Sequence, residues 1–190
     1  QALQTQALAG TLRRTGTGQT TYDGQCQSLL GSQKDRSEHG FVVEAIRKAL
    51  DPLCSDIAIA RAPEIIALRN ILHINTPFEA RLRPGTHVTD LIAALHPTPA
   101  VGGVPGPAAR EWIVRHEPAQ RGWYTGPVGW FDCRGDAEFA VAIRCGVLTG
   151  TSAFLYTGAG VVLNSEPEAE YAETALKQLP MMRALAVQLD

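Results

Sequence analysis

Three strand-like runs follow one another near the C-terminal end, at residues 128–133, 138–148 and 153–163, with no helical stretch between them. In the middle run, Glu138-Phe-Ala-Val-Ala-Ile-Arg144, the side chains of Phe139, Val141 and Ile143 fall on one face. Period-two alternation marks a half-buried strand. Parallel neighbours need a crossover of a dozen or more residues, so strands joined by short links pair antiparallel. Helical patterns occur as well. The pattern points to an α/β chain of the α+β type, with antiparallel sheets flanked by helices rather than a βαβ array.

The helices are legible from their spacing. Between residues 32 and 50, Phe41, Val42, Ala45, Ile46 and Ala49 recur at intervals of three and four, Ser32 is a fitting N-cap, and Asp51-Pro52 ends the pattern. A short helix is expected at 88–95, and another at 107–116 with Pro107 in its first turn. A long one is expected at 167–187, with a possible bend at Pro180. Short β-like runs stand at 56–60, 65–75 and 78–82. Residues 1–31, rich in Gly, Thr and Gln, read as loop or strand edge followed by a flexible excursion. Residues 96–105 form a Pro- and Gly-rich loop dense enough to be a shaped surface. The three tryptophans, Trp112, Trp123 and Trp130, are expected in the core or at its rim.

Composition excludes several classes. A net charge of −2 over 190 residues, with no lysine/arginine block, argues against a nucleic-acid partner. The apolar runs are too short and interrupted to span a membrane. Cys26, Cys54, Cys133 and Cys145 are scattered without a CxxC pair, which fits reduced thiols in a cytoplasmic protein rather than zinc ligation. One domain accounts for the length, with residues 1–190 as part of it. No basic or apolar leader pattern begins the chain, and no initiator methionine does either.

The chemistry is concentrated near the end. Leu155-Tyr-Thr-Gly-Ala-Gly-Val-Val-Leu163 is an apolar run broken by Gly158 and Gly160. Glycines before a helix start bring backbone amides close to an anion. Beyond them stands Glu170-Tyr-Ala-Glu173-Thr-x-x-Lys177, whose two acids and lysine share a helix face. Such a stripe is as often a solvated surface as a site, and Arg144, Tyr124 and the histidines each admit an ordinary structural role.

Seven segments taken in order change that balance. They are Ala7-Leu-Ala-Gly-Thr11, Lys34-Asp-Arg-Ser-Glu-His39, Leu95-His-Pro-Thr-Pro-Ala-Val-Gly-Gly103, Arg121-Gly-Trp-Tyr-Thr-Gly126, Val141-Ala-Ile-Arg144, Thr157-Gly-Ala-Gly160 and Glu170-x-x-Glu-Thr-x-x-Lys177. In this order and spacing the chain resembles the chorismate-utilising enzymes, the isochorismate synthases in particular, from about residue 5 to 185.

The resemblance implies a fold of stacked antiparallel sheets flanked by helices, of which this chain is the C-terminal half. It implies a Mg²⁺-dependent reaction in which water adds at C2 of chorismate while the C4 hydroxyl leaves. Glu38, Glu170 and Glu173 are the implied metal ligands, with Asp35 behind them. Tyr124 and Arg144 would hold the pyruvyl carboxylate, Gly158 and Gly160 would add amide donors, and Lys177 would lie by the carboxylates. Gly10 and Thr11 would touch the ring-carboxylate side, and His73 the ring. His39, His96 and His116 would serve local structure.

The resemblance also implies a gap. The family's general base and general acid match nothing here, so no catalytic residue is assigned in this chain. The isolated chain is expected to be inactive, with the missing N-terminal half as partner. Ala100 matches the water-adding members. Salicylate-forming and aminating reactions remain alternatives, as does a non-catalytic fragment that pairs with another half.

Overall fold

The computed structural model describes residues 1–16 and 18–185. Its centre is a four-stranded antiparallel sheet built around β4 (Ile71–Leu82). On one side β4 pairs with β1 (Ala2–Arg13) along the whole strand. On the other it pairs with β2 (Cys54–Ile59) near its end and with β3 (Glu64–Ala67) near its start. The register of β1 slips between Ala9 and Thr11. Gly10 absorbs the slip at φ +77°, where Asp35 and Ile74 leave no room for a side chain.

Two helices pack on this sheet, α1 (Gln19–Gly31) and α2 (Gln33–Leu50). Ser32 caps α2 by accepting from the Asp35 amide, as its position suggested. Val42, Ile46 and Leu50, four apart, point at the sheet and meet Ala7, Ala9, Phe78 and Ala80. Burying a large apolar side chain of this kind contributes about 1.5–3 kcal/mol. Residues 34 and 38 continue the same i, i+4 ladder toward the helix start. Lys34 and Glu38 are therefore aimed inward at the end where the core opens. That places two charged side chains over a cleft.

The second half is less consolidated. It begins with α3 (Val88–Leu95), α4 (Pro99–Gly102) and α5 (Gly106–His116). The hairpins β5–β6 (Pro127–Phe131, Ala137–Val141) and β7–β8 (Cys145–Thr149, Ser152–Tyr156) follow, and then α6 (Pro167–Ala184). Val128, Trp130, Phe131, Leu148 and Phe154 on the hairpins are all more than half exposed.

Several expectations are revised. The opening residues, read as a loop or short strand edge followed by a flexible excursion, form the long strand β1 and the helix α1. The inner face of β1 carries Ala7 and Ala9, residues with weak strand preference whose place is fixed by pairing with β4. Helix α1 buries only Leu29 and so has no apolar stripe to read. The two runs at 65–75 and 78–82 become β3 and one long β4. The run at 138–148 is two strands, broken where Arg144 adopts φ +51°. The run at 153–163 ends as a strand at Tyr156. Trp112, Trp123 and Trp130 are exposed rather than in the core, Trp123 at 89%. The long C-terminal helix runs through Pro180 to Ala184, and its expected end at Val187 lies outside the described residues.

Candidate active site

A cleft of about 940 Å³ opens between the sheet, α2, the loops around Tyr124 and Arg144, β8 and α6. Thr11, Glu38, His73, Tyr124, Arg144, Gly158, Gly160 and Lys177 all line it, brought from seven separate parts of the chain. Gly10 does not line it, but shapes it from behind through the bulge.

Arg144 sits at the break between the two hairpins. A left-handed backbone is uncommon for a residue with a Cβ and persists only where the surroundings fix it. Here Ala142, two residues before, exchanges both backbone hydrogen bonds with the 125–126 turn at 2.8 Å. The kink turns the guanidinium inward. Arg144 Nη2 donates to His73 Nε2 at 2.9 Å, and Nε is buried with no partner. Among the described residues no carboxylate forms an ion pair with Arg144. Burial pushes its pKa below the ordinary arginine value.

That contact fixes the tautomer of His73. A guanidinium only donates, so Nε2 must accept and the proton sits on Nδ1. Nδ1 faces the Gly10 carbonyl and the Thr11 hydroxyl, each at 3.2 Å. Burial lowers the imidazole pKa from 6.5 to about 4, with Arg144 and Lys177 adding to the effect. In the unfolded chain His73 takes up a proton near pH 6.5; in the fold it resists until about pH 4. The unfolded state thus binds the extra proton inside that window. Stability from this group is intact above pH 6.5 and is lost as pH falls toward 4, by up to about 1.4 kcal/mol per unit. Thermal unfolding of the wild type and His73→Gln from pH 7 to 4 checks this. The wild type should fall more steeply, and parallel curves would refute it.

Tyr124 stacks on Tyr156 with centroids 5.5 Å apart. A Cβ at Gly158 would come within 2.8 Å of the Tyr124 hydroxyl, and a Cβ at Gly160 would collide with the Glu38 carboxylate. Both glycines are therefore needed for close approach. They do not open the following helix, which starts only at Pro167. Arg121 braces the same wall. It pairs with Glu117 at 2.6 Å, donates to the Val101 carbonyl at 2.6 Å and lies over the Tyr124 ring.

The acids gather at the opposite side. Glu38 is pushed up to about 7, first by burial and then by the Glu173 carboxylate, while Lys34 and Lys177 pull the other way. Glu173 pairs with Lys177 at 2.7 Å, and Lys177 also donates to the Gly158 carbonyl at 3.1 Å. Glu170 is the most buried acid, 7% exposed, and is reached by Lys34 Nζ at 2.6 Å from Oε1. That contact is an ion pair without a well-directed hydrogen bond, and Oε2 has no partner. Glu170 does not line the large cleft. A neighbouring apolar cavity of about 610 Å³ is lined by Lys34, Asp35 and Glu173, with Thr11 shared between the two. Among the described residues no three His, Cys, Asp or Glu side chains stand close enough to enclose an ion as they are placed.

The sequence profile of the family described as chorismate binding enzyme matches residues 1–186. The chain belongs to that family. It is 48% identical over 183 residues to the salicylate biosynthesis isochorismate synthase of Pseudomonas aeruginosa, covering 96% of this chain and 38% of that protein. It is 40% identical to isochorismate synthase MenF of Bacillus subtilis, covering 94% and 38%. The crystal structure of DhbC from Bacillus anthracis superposes with a TM-score of 0.91 at 40% identity, over 98% of this chain and 50% of that one. The chain thus spans about two fifths of the length of the curated relatives it matches.

As a chorismate-binding enzyme segment, it holds two residues that sequence reasoning passed over. Arg121 was quoted only inside a motif. Lys34 likewise stands only inside a motif, with no role of its own. The signal for Lys34 was available: it stands four residues before Glu38 on the inward ladder of α2.

Proposed function

We propose that this chain supplies the metal- and carboxylate-binding part of an isochorismate synthase, as the C-terminal portion of a single chorismate-binding domain. The observation that carries the reading is Arg144, a half-buried guanidinium with no carboxylate partner among the described residues, facing a cleft that Glu38 also lines, with Glu170 and Glu173 grouped beside it on α6. Chorismate carries two carboxylates, so it suits a site with a cation at one end and room for a metal at the other.

The residues fit Mg²⁺. The carboxylates of Asp35, Glu38, Glu170 and Glu173 outnumber the ammoniums of Lys34 and Lys177, so the cluster stays net negative even with Glu38 partly protonated. Glu170 Oε2 is buried without a partner, and Glu38 is held partly protonated near neutrality by its surroundings. Hard divalent cations take about six oxygens, one or two from carboxylates. Glu38, Glu170 and Glu173 would hold the ion. Once bound, it supplies positive charge for the ring carboxylate of the substrate.

The remaining steps belong to the chain's own groups. Arg144 grips the pyruvyl carboxylate, with a planar fork suited to two parallel hydrogen bonds. The Tyr124 hydroxyl adds a donor beside it. His73 keeps Arg144 aimed, because its Nε2 accepts from the guanidinium. Lys177 holds Glu173 and the Gly158 carbonyl, so the glycine wall and the acids keep one spacing. Ala100 lines the cleft, a small side chain that leaves room for water at the ring. Water enters at C2 and the C4 hydroxyl departs with a proton, so the reaction is balanced as an isomerisation. The base and acid that move those protons lie outside this chain. The exposed Trp130, Phe131, Leu148 and Phe154 provide an apolar face for the half that carries them.

Product analysis tests the reading. The chain is combined with the complementary N-terminal half of a relative, chorismate and Mg²⁺, and products are separated by chromatography. Isochorismate is the expected product. Salicylate or an aminated product would overturn the assignment within the family.

A further inference from the structure

Two of the three candidate metal ligands are already engaged by ammonium groups. Glu173 is taken by Lys177 within α6 and Glu170 by Lys34 from α2. The two contacts differ in kind. Lys177 is four residues from Glu173 on the same helix, an ordinary i, i+4 pair, and it also bonds Gly158. Lys34 reaches across from another helix to the most buried acid of the site. Its Nζ meets Oε1 of a side chain that is 91% buried, while Oε2 has no partner. The packing does not require this lysine for shape: it is one quarter exposed and lies at the start of α2, beyond the last apolar rung at Val42.

We infer that Lys34 is an internal stand-in for the divalent cation, neutralising Glu170 in the metal-free protein and competing with the metal for it. This rests on the metal reading above. The argument is electrostatic. A buried carboxylate without a counter-charge is strongly unfavourable, so the site needs a cation before any metal arrives. Lys34 provides it, aided by proximity to Glu173 and Asp35. The same positive charge then opposes a second cation beside it. Affinity of an oxygen site for a divalent ion depends on the net ligand charge, so each resident ammonium lowers it. The site thus folds without metal at the expense of metal affinity.

Lys34→Met keeps the length and apolar stem and removes the charge. Mn²⁺ and Mg²⁺, each alone, are titrated calorimetrically into the full chain and the variant, and thermal unfolding is recorded with and without saturating metal. The variant should bind Mn²⁺ on the order of tenfold more tightly. It should unfold at a lower temperature than the wild type without metal, and the gap should close when metal saturates both. A residue that only supports the fold would leave the same gap in both conditions. If the wild type takes up no metal, the metal reading itself fails. If it binds and Lys34→Met binds no more tightly, or the gap persists at saturation, the inference about Lys34 fails alone. Should Lys34→Met not fold metal-free, refolding restored by Mg²⁺ supports the stand-in role. Failure to fold with or without Mg²⁺, shared by Lys34→Gln, overturns it.

Discussion

The chain alone, with chorismate and saturating Mg²⁺, is expected to form isochorismate at no measurable rate. Most titratable side chains that line the cleft already have other work. His73 accepts from Arg144 through Nε2 and donates through Nδ1, which leaves no site for a transferred proton. Glu117 is paired with Arg121, and Lys177 with Glu173 and the Gly158 carbonyl. Burial raises the Tyr124 hydroxyl above its ordinary pKa, which makes it a poor base at neutral pH. Glu38 is one of the proposed metal ligands. A positioned acid or base contributes about 10²–10⁴ in rate, and two are missing, so several orders of magnitude separate the chain from a complete enzyme. A chromatographic turnover assay decides the matter. A rate within tenfold of the chain reconstituted with an N-terminal half would sink the expectation.

Replacing Arg144 by Ala is expected to weaken chorismate binding by about 30-fold to several thousand-fold. Truncating one partner of a buried charge pair costs about 2–5 kcal/mol, and each 1.4 kcal/mol is tenfold. Part of that cost is the substrate carboxylate left without a cation in a low-dielectric cleft. Arg144→Lys keeps the charge but loses the planar fork, so it should fall between the two. The backbone at 144 stays left-handed in both variants, and Ala gains nothing from the strain. Titration calorimetry of chorismate into the chain with Mg²⁺ measures the effect. An unchanged dissociation constant would remove Arg144 from the site.

The legible parts share a physical cause. The ladder Val42, Ile46, Leu50 repeats at helical spacing because a helix on a sheet must bury one stripe, and repetition is visible in a sequence. The cap at Ser32 and the end at Asp51-Pro52 are local effects, set by neighbours within one turn. The shared face of Glu170, Glu173 and Lys177 follows from the same geometry. The motif order that carries the family resemblance spans the chain, and several of its residues, Thr11, Glu38, Tyr124, Arg144, Gly158, Gly160 and Lys177, line one cleft.

What escaped was decided at a distance. The strand β1 has alanines where a sheet's inner face usually has branched residues. Only its pairing with β4 makes it a strand. The run at 138–148 alternates well enough to look continuous, yet bonds to the 125–126 turn break it at Arg144. Gly158 and Gly160 read as anion-binding positions in the sequence, and close approach is a further demand on them that only the structure shows, because Tyr124 and Glu38 arrive from elsewhere in the chain.

The sequence by itself determined the class of fold and the helix faces, including the one shared by Glu170, Glu173 and Lys177, since these depend on spacing along one element. Only the tertiary structure decided who neutralises whom. Lys34 reaching Glu170, His73 orienting Arg144 and Arg121 bracing Tyr124 are contacts between elements tens of residues apart or between turns of an irregular loop. Their energies depend on burial and on distance in space, and neither is encoded by any local period.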